Sequence, residues 1–565
     1  MRVLSLRAWV AFLFVTSVSW STLCSGQNVQ QSAAAPGVAP EAVLVPEEQV
    51  AAHETGNHKA VRMQPTQSSR IFQSVHVTIV VDVAGNVISA IPTEGPSEAF
   101  AGAIAEVMTW KYTPFEKDGA AVSAKFADYI RVLPPEEMPK VHQPFPKING
   151  LAGLVMRLSR SGCYGTCPAY SVEVHGDGTV LYEGNAFVVL TGEHKDRISP
   201  EQVSEMVDAF RKADYFSLKD EYSYLVTDCP TYETSFQVDQ VSKTVRDYVG
   251  EEAGMPELVS DLESTIDRIV GTLKWVKGNA ETVPALKREG WDFKSSEAAK
   301  VLARASQESS STLVKDLLAA GVGHSGENEN GNSALAAAAL SGDHPTVKML
   351  IQAGVGKADP QAKTAALAAA ARTGDIELVR TLLDYGADPR GTWRSEQESG
   401  TVLMWAATSG VPEVVEIILA GHPNVNSRDE KGRTAFWYLC EGNTYFDEKR
   451  HADRARVVHL LTQAHADLNA QDDEGNAALH GAYEPDVAKA LIEDGANVDI
   501  RNAGGETPLM SNFSVEVAKL LVAAGADIHA RDHDGKTALD HAASLEPNGE
   551  RVQFLMSLNT SKESE

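Results

Sequence analysis

The chain has 565 residues, of which 43% are hydrophobic and 22% charged, and its formal net charge is −27. Roughly 100–200 residues per domain divides that length into about three to five units, because it is too long for one core. The acidic excess argues against nucleic acid, whose binding depends on Lys and Arg displacing counterions, and against anionic membrane surfaces.

The first stretch, "MRVLSLRAWVAFLFVTSVSWSTLCSGQ", reads as an export signal over residues 1–26. Arg2 and Arg7 form a basic head, an apolar run extends from Ala8 to Val18, and small residues surround a cleavage zone near Ser25 and Gly26. The run is shorter than the about 20 residues of a membrane span, which favours cleavage over anchoring. Cys24 offers lipid modification as an alternative, and the bulky Leu23 stands against it. No later stretch is long and apolar enough to span a bilayer, so the expected product is exported, periplasmic or extracellular, with no membrane span after signal cleavage. Residues 27–71 show no sustained period and few aromatics, and read as a disordered linker.

Order is expected from residue 72. Apolar residues recur in strand fashion on both sides of "DVAGNV", where Asp82, Gly85 and Asn86 supply hairpin turn chemistry. Phe100, Ile104 and Val107 have helical spacing, Trp110 follows, and a turn at Asp118-Gly119 leads into a last strand. This strand–strand–helix–strand run over 72–134, with its "D-x-x-G-x-V" hairpin and "WKYTPFEKDGAAV", resembles the C-terminal domain of the TonB energy transducers. The resemblance implies an α+β domain in the periplasm that pairs with a peptide of outer-membrane transporters. Three departures weaken an energy-coupling role: the apolar leader has no His, the linker is not strongly Pro-rich, and a long chain follows. A plain binding or spacer module remains the alternative.

Residues 135–152 read as a second linker. A second α+β domain is expected over 153–274, with strands in "GLVMRLSRSG", "AYSVEVHGDGTVLYEG" and "TYETSFQVDQ". One helix starts at an N-cap Ser199 with Pro200 inside it and Gln202 three residues on, and another runs through "MPELVSDLESTIDRIVGTLKWV". "GCYGTCPAYSVEV" with "SLKDEYSYLVTDCPTY" resembles a domain of unknown function of exported bacterial proteins, which implies no activity. Within it Cys163 and Cys167 are expected to form a local disulfide, since an exported chain meets oxidising conditions and Gly162 and Gly165 free the backbone. The alternatives are a metal site with His175 as third ligand, a redox-active pair, and pairing with Cys229. Zinc would want a second Cys or His pair, and a thiol oxidoreductase two residues between its cysteines.

From residue 278 to 560 the sequence is periodic. "GNSALAAAALSGDHPTVKMLIQAGV", "GETPLMSNFSVEVAKLLVAAGADIHARD" and "GKTALDHAASLEPNGERVQFLMSL" share a turn, an Ala-rich helix, a Leu-rich helix and Gly-Ala-Asp. Gly321, Gly354, Gly386, Gly421, Gly495 and Gly525 recur at the ankyrin period, which gives about eight repeats. Glycines such as Gly386, Gly495 and Gly525 are expected to take left-handed C-caps, and "EGNTYFDEKRHADRAR" is expected as a projecting insertion. The expected fold class is therefore multidomain: two small α+β domains followed by an all-α ankyrin-repeat solenoid.

No nucleophile elbow, phosphate-binding loop or zinc-protease helix appears, so no catalytic residue, metal ligand or cofactor is expected. His533, Asp534 and His541 gather in one turn but are also what ankyrin turns produce, and Cys440 falls at a core position. The expected role is an exported, non-catalytic protein-binding scaffold or adaptor that uses the concave ankyrin surface. Its candidate contacts are Trp405, Tyr438 and His541 at the variable position of "T-P-L-H-x-A-A", with Trp393, Arg394, Arg428, Arg501 and Arg531 on or near hairpin tips. For Trp405 and Tyr438, packing against the insertion is the competing role. A TonB-like partner of an outer-membrane receptor is the alternative function, and an enzyme centred on the cysteine-bearing domain a third.

Overall fold

A computed structural model of the chain describes residues 42–45, 50, 53–55, 60–62, 73–117, 120–394, 399–441 and 451–560. The leader, most of the first linker, the Asp118-Gly119 turn and residues 442–450 of the insertion lie outside these. Two compact units result, Met1–Thr272 and Leu273–Glu565. Among the described residues no helix is long and apolar enough to cross a membrane.

Among the described residues the first unit contains two large sheets and two two-stranded ones. In one large sheet, β1 (Gln73–Val81) lies between β2 (Val87–Glu94) and β3 (Ala124–Leu133), all antiparallel, with helix α1 (Phe100–Val107) beside them. Alternate residues Val75, Val77, Ile79 and Val81 of β1 are buried with Ala103 and Val107 of α1 and with Phe126 and Ile130 of β3. The β1–β2 turn forms as its residues predict. Asp82 Oδ1 accepts the amides of Ala84 and Asn86, and Gly85 takes φ +80° where a Cβ would strike the Tyr112 carbonyl.

Residues between 42 and 62 correct the linker reading. Val43–Leu44 and Val61–Arg62 pair in parallel with two stretches of β3, Glu54–Thr55 pairs with Lys111–Tyr112, and Val50 is buried in the core. The outer edge of β3 offers unpaired backbone groups that these short pieces satisfy. Two-residue strands are too brief to show any sequence period.

The second sheet runs in the order β7 (Gly192–Arg197), β6 (Thr179–Ala186), β5 (Ala169–His175), β4 (Val155–Arg160), β9 (Tyr232–Val238), β10 (Val241–Tyr248) and β8 (Glu221–Ser223). All pairs are antiparallel except β8 with β10. Helix α2 (Pro200–Lys212) opens on the expected capping box, in which Ser199 and Gln202 exchange side-chain and backbone bonds. It packs with α3 (Glu257–Val270), and its Phe210 lies 5.1 Å from Phe236 of β9. The expected long C-terminal helix is interrupted: Gly271 takes φ +67° and ends α3. Residues 135–152 are irregular and pack against their neighbours: Phe145 lies edge-on against Phe216 and Phe236, and Glu137 donates its amide to the Gly254 carbonyl. Arg131 of β3 pairs with Glu251 at 2.8 Å and Glu252 at 2.9 Å, tying the two large sheets of this unit together.

The second unit is helical. Thr282–Glu289 precedes a series of eight pairs, whose first members are Ser296–Gln307, Ala334–Leu340, Pro360–Thr373, Val402–Ser409, Ala435–Glu441, the 3-10 turn Ala478–His480, Pro508–Ser511 and Ala538–Leu545. Each first member contacts the next. Ala334 and Ala336–Ala339 are fully buried, as are Ala366 and Ala368–Ala371, so small side chains set the close approach of neighbours. Gly386, Gly495 and Gly525 take positive φ at the ends of second helices, whereas His422 and His465 do so where Gly421 and Ala464 precede them. Where first members are short, the buried Asn512 and Arg551 donate to carbonyls at the ends of neighbouring turns, at Ala482 (2.7 Å) and Leu509 (2.6 Å). Residues 451–456 of the insertion belong to the helix His451–Gln463.

Candidate functional site

Five hairpin tips of the helical unit repeat one piece of local chemistry. An Asx residue accepts the amides two and four residues on: Asn328, Asp429, Asp472, Asn502 and Asp532 each do so through Oδ1. A glycine with positive φ then completes each turn. At Gly475 (φ +79°) a Cβ would lie 2.5 Å from the Ala503 amide, so the spacing between tips also requires glycine there.

Successive tips are joined by a side-chain ladder. Arg428 Nη1 donates to the Gly432 and Gln471 carbonyls, Gln471 Nε2 to Gly475 and Arg501, and Arg501 Nη1 to Gly505 and Arg531, at 2.5–3.3 Å. Arg531 Nη1 closes the series on Gly535 at 2.5 Å. Arg428, Arg501 and Arg531 are exposed, as expected for surface contacts, but each spends one nitrogen holding its tip. Arg394 is different: its side chain is 74% exposed and, among the described residues, pairs with the exposed Glu430 at 3.4 Å.

The aromatic candidates are not surface anchors. Trp393, Trp405 and Tyr438 are 3%, 2% and 4% exposed, which corrects their placement on an open groove. A short ribbon, Thr392–Arg394 with Ser399–Thr401, folds over the variable position: Trp393 lies 5.3 Å from Trp405, which lies 5.4 Å from Tyr438. Arg372 sits 5.0 Å from the Trp405 ring centre and Arg433 5.0 Å from that of Tyr438. The Tyr438 hydroxyl, with one proton to share, lies 3.0 Å from both the Ser399 carbonyl and Asp429 Oδ2. Sequence reasoning passed over Trp437, which takes the His place of its repeat, is half-buried and stacks under Arg433 at 4.3 Å. The signal was available in the long interval of the fourth repeat, "RGTWRSEQESGT".

His541 points to Asp532, with Nε2 2.7 Å from Oδ2, and to Glu506 at 3.9 Å. Glu506, Asp532 and His541 bring one ligand atom each within 4.8 Å of one another, whereas His533 and Asp534, read beside His541 in the sequence, are not part of that group. Burial pushes the Cys440 thiol up to about 12, as suits a core position.

His480 is buried in the "AALH" turn. Its Nδ1 accepts the Ala477 amide at 3.1 Å, and Nε2 faces the Glu506 carbonyl at 3.2 Å, so the neutral ring with a proton on Nε2 satisfies both. Burial holds it below its ordinary 6.5 although both contacts act to raise it. The unfolded chain takes up a proton near that value and the folded chain does not, so its contribution to stability is complete above it and declines below. Melting temperatures from about pH 7 to about pH 5 should therefore fall less steeply in His480→Asn than in the parent. Equal slopes would remove His480 from the account.

In the first unit the cysteine loop hangs between two anchored strands. The sulfurs of Cys163 and Cys167 are at bonding distance, with Cα atoms 5.5 Å apart. His175 pairs instead with Glu173 at 2.8 Å. Just outside the loop, Arg160 and Tyr170 converge on Asp267. Arg160 Nη2 donates to Oδ2, Tyr170 to Oδ1 at 2.8 Å, and the Arg160 guanidinium lies 4.6 Å from the Tyr232 ring centre. Burial, then the Asp267 charge, pushes the Tyr170 hydroxyl far above its ordinary value, so it stays a donor. Asp267→Ala should cost about 2–3 kcal/mol in urea unfolding, because it strands a largely buried guanidinium. It should also speed amide exchange across residues 162–166; unchanged exchange there would separate the node from the loop.

Comparison with known proteins follows this division. The family described as "Domain of unknown function (DUF6438)" matches residues 154–270. "Ankyrin repeats (3 copies)" matches 302–392, 448–532 and 483–565, and "Ankyrin repeat" matches 400–430. An "Ankyrin repeat and KH domain-containing protein" of Caenorhabditis briggsae is 31% identical over 102 residues, 17% of this chain and 4% of that protein. A "Transient receptor potential cation channel subfamily A member 1 homolog" of Caenorhabditis elegans is 35% identical over 131 residues, 23% of this chain and 10% of that protein. The chain thus spans a tenth or less of the length of these curated relatives. It carries ankyrin repeats in its C-terminal half and a DUF6438 domain before them.

Proposed function

We propose that the protein is an exported, non-catalytic scaffold or adaptor whose ankyrin repeats hold a protein partner. The observation that carries this reading is the run of stacked repeats with its ladder of hairpin tips, a preformed surface that costs little ordering on binding. Arg394, largely exposed at the end of the strand Thr392–Arg394, supplies an available cation. Export draws on the leader sequence and on the local disulfide, a bond that persists in oxidising compartments. Full-length protein should retain a specific envelope protein of its source cell and lose it on Arg394→Glu. If the parent retains nothing above background, the scaffold reading fails.

A second reading, a TonB-like partner of an outer-membrane receptor, has one observation behind it. Strand β2 is the last in its sheet, with no strand on its outer edge among the described residues, and Ile88 and Ile91 are about half exposed along it. An extended receptor peptide could add there by backbone pairing. Binding of such a peptide, abolished by proline at Ser89, would favour this reading over the first.

A further inference from the structure

The pairing of β4 with β9 continues past the strand ends. The Ser161 amide donates to the Thr231 carbonyl at 2.9 Å, the Thr231 amide to the Ser161 hydroxyl at 2.8 Å, and farther out the Tyr164 amide to the Asp228 carbonyl at 3.2 Å. Antiparallel partners advance in opposite directions, as in Arg160 with Tyr232, Ser161 with Thr231 and Tyr164 with Asp228. The ladder proper ends at Arg160 with Tyr232, and in the loops beyond it the Ser161–Thr231 and Tyr164–Asp228 bonds bracket Cys163 and Cys229 between them. Cys163 is already bonded to Cys167, and Cys229 is a partly exposed free thiol. Cys163 and Cys229 are each the chain neighbour of one partner in the Tyr164–Asp228 bond, which holds the two backbones side by side as a disulfide, with Cα atoms about 4.4–6.8 Å apart, requires.

We propose that Cys163, Cys167 and Cys229 form a thiol–disulfide exchange site, in which Cys163 passes its bond between Cys167 and Cys229. The Cys229 thiolate attacks Cys163 Sγ; the bond to Cys167 breaks as the bond to Cys229 forms. Cys167 leaves as a thiolate and takes up a proton equivalent to the one Cys229 released. One disulfide and one thiol proton are conserved overall, so neither oxidant nor reductant is consumed. The Asp267 node holds Arg160 and Tyr170, the two stems, while the segment between them changes its tether. One form closes a local loop; the other ties the ends of β4 and β9 and exposes Cys167. All three cysteines are partly exposed, within reach of a thiol or disulfide of a partner protein.

The test uses the full chain made in an oxidising compartment, with free thiols alkylated and disulfides mapped by peptide mass. In Cys167→Ser, most molecules should carry a Cys163–Cys229 bond. Alkylation of both cysteines, under conditions that oxidise Cys163–Cys167 in the parent, would overturn the proposal. Because that variant could misfold, the parent itself is equilibrated with a trace of 2-mercaptoethanol, and its map decides where the two disagree. A Cys163–Cys229 peptide growing together with alkylated Cys167, and absent from Cys229→Ser, supports exchange. A map that holds only Cys163–Cys167 at equilibrium rejects it.

Discussion

Trp405→Ala should lower the stability of the helical unit by about 3–5 kcal/mol, the range for deleting a buried aromatic. The indole is 2% exposed, flanked by Trp393 and Tyr438 at 5.3 and 5.4 Å and faced by Arg372 at 5.0 Å. Alanine would leave a cavity, remove both ring contacts and take the aromatic face from a guanidinium. Trp405→Phe should cost less than about 1.5 kcal/mol, since it keeps most of the volume. It also removes a buried indole N–H that has no hydrogen-bond acceptor among the described residues. Urea midpoints at constant slope measure both. A loss below about 1 kcal/mol for the alanine variant would mean that the 392–401 ribbon does not close over the ring.

Asp429→Ala should be comparably severe, about 3–5 kcal/mol, because it breaks a buried ion pair and leaves its partner charged. The Asp429 side chain is 2% exposed. Its oxygens accept the Lys431 and Arg433 amides at 2.9 and 2.8 Å, Arg433 Nε at 2.6 Å and the Tyr438 hydroxyl at 3.0 Å. Asp429→Asn keeps the turn acceptor and should cost about 1–2 kcal/mol. Burial raises the carboxyl, but the hydrogen bonds from Arg433, Lys431 and Tyr438 outweigh it and hold the group below its ordinary 3.8. Its stabilisation is thus present above that value and lost as pH falls through the lower, folded value, so the acid limb of the stability profile should flatten in both variants. Asp429 and Trp405 share Tyr438, so the double variant should depart from additivity by about 0.5–3 kcal/mol. Strict additivity would show that the ring stack and the ion pair act separately.

The local features were legible because each is written within a few residues. The Asp82–Asn86 turn, the Ser199 capping box and the left-handed glycines at 386, 495 and 525 depend on side-chain type and spacing alone. The repeat organisation was legible for a related reason, since one pattern of buried alanines and leucines recurs along the chain and needs no distant partner to be recognised. The strands near residues 43 and 61 left no such trace, because their pairing is dictated by the open edge of β3 rather than by their own composition.

Which side chains are available for contact was decided elsewhere. Alignment to the repeat placed Trp405 and Tyr438 at a variable position, but whether that position meets solvent depends on what the preceding hairpin does, and here Trp393 covers it. Arg428, Arg501 and Arg531 fell on the tips as expected, yet only the stacking of one tip on the next reveals that each donates to carbonyls of its own and the following repeat, or of its own alone at the last. The approach of the Cys163 and Cys229 segments likewise comes from the pairing of β4 with β9 and the loop bonds beyond it, which join positions far apart in the chain. By itself the sequence determined the repeat class, the turns and the caps, whose causes are local. Burial, pairing and exposure waited on the tertiary structure, because each depends on which distant segment comes to lie alongside.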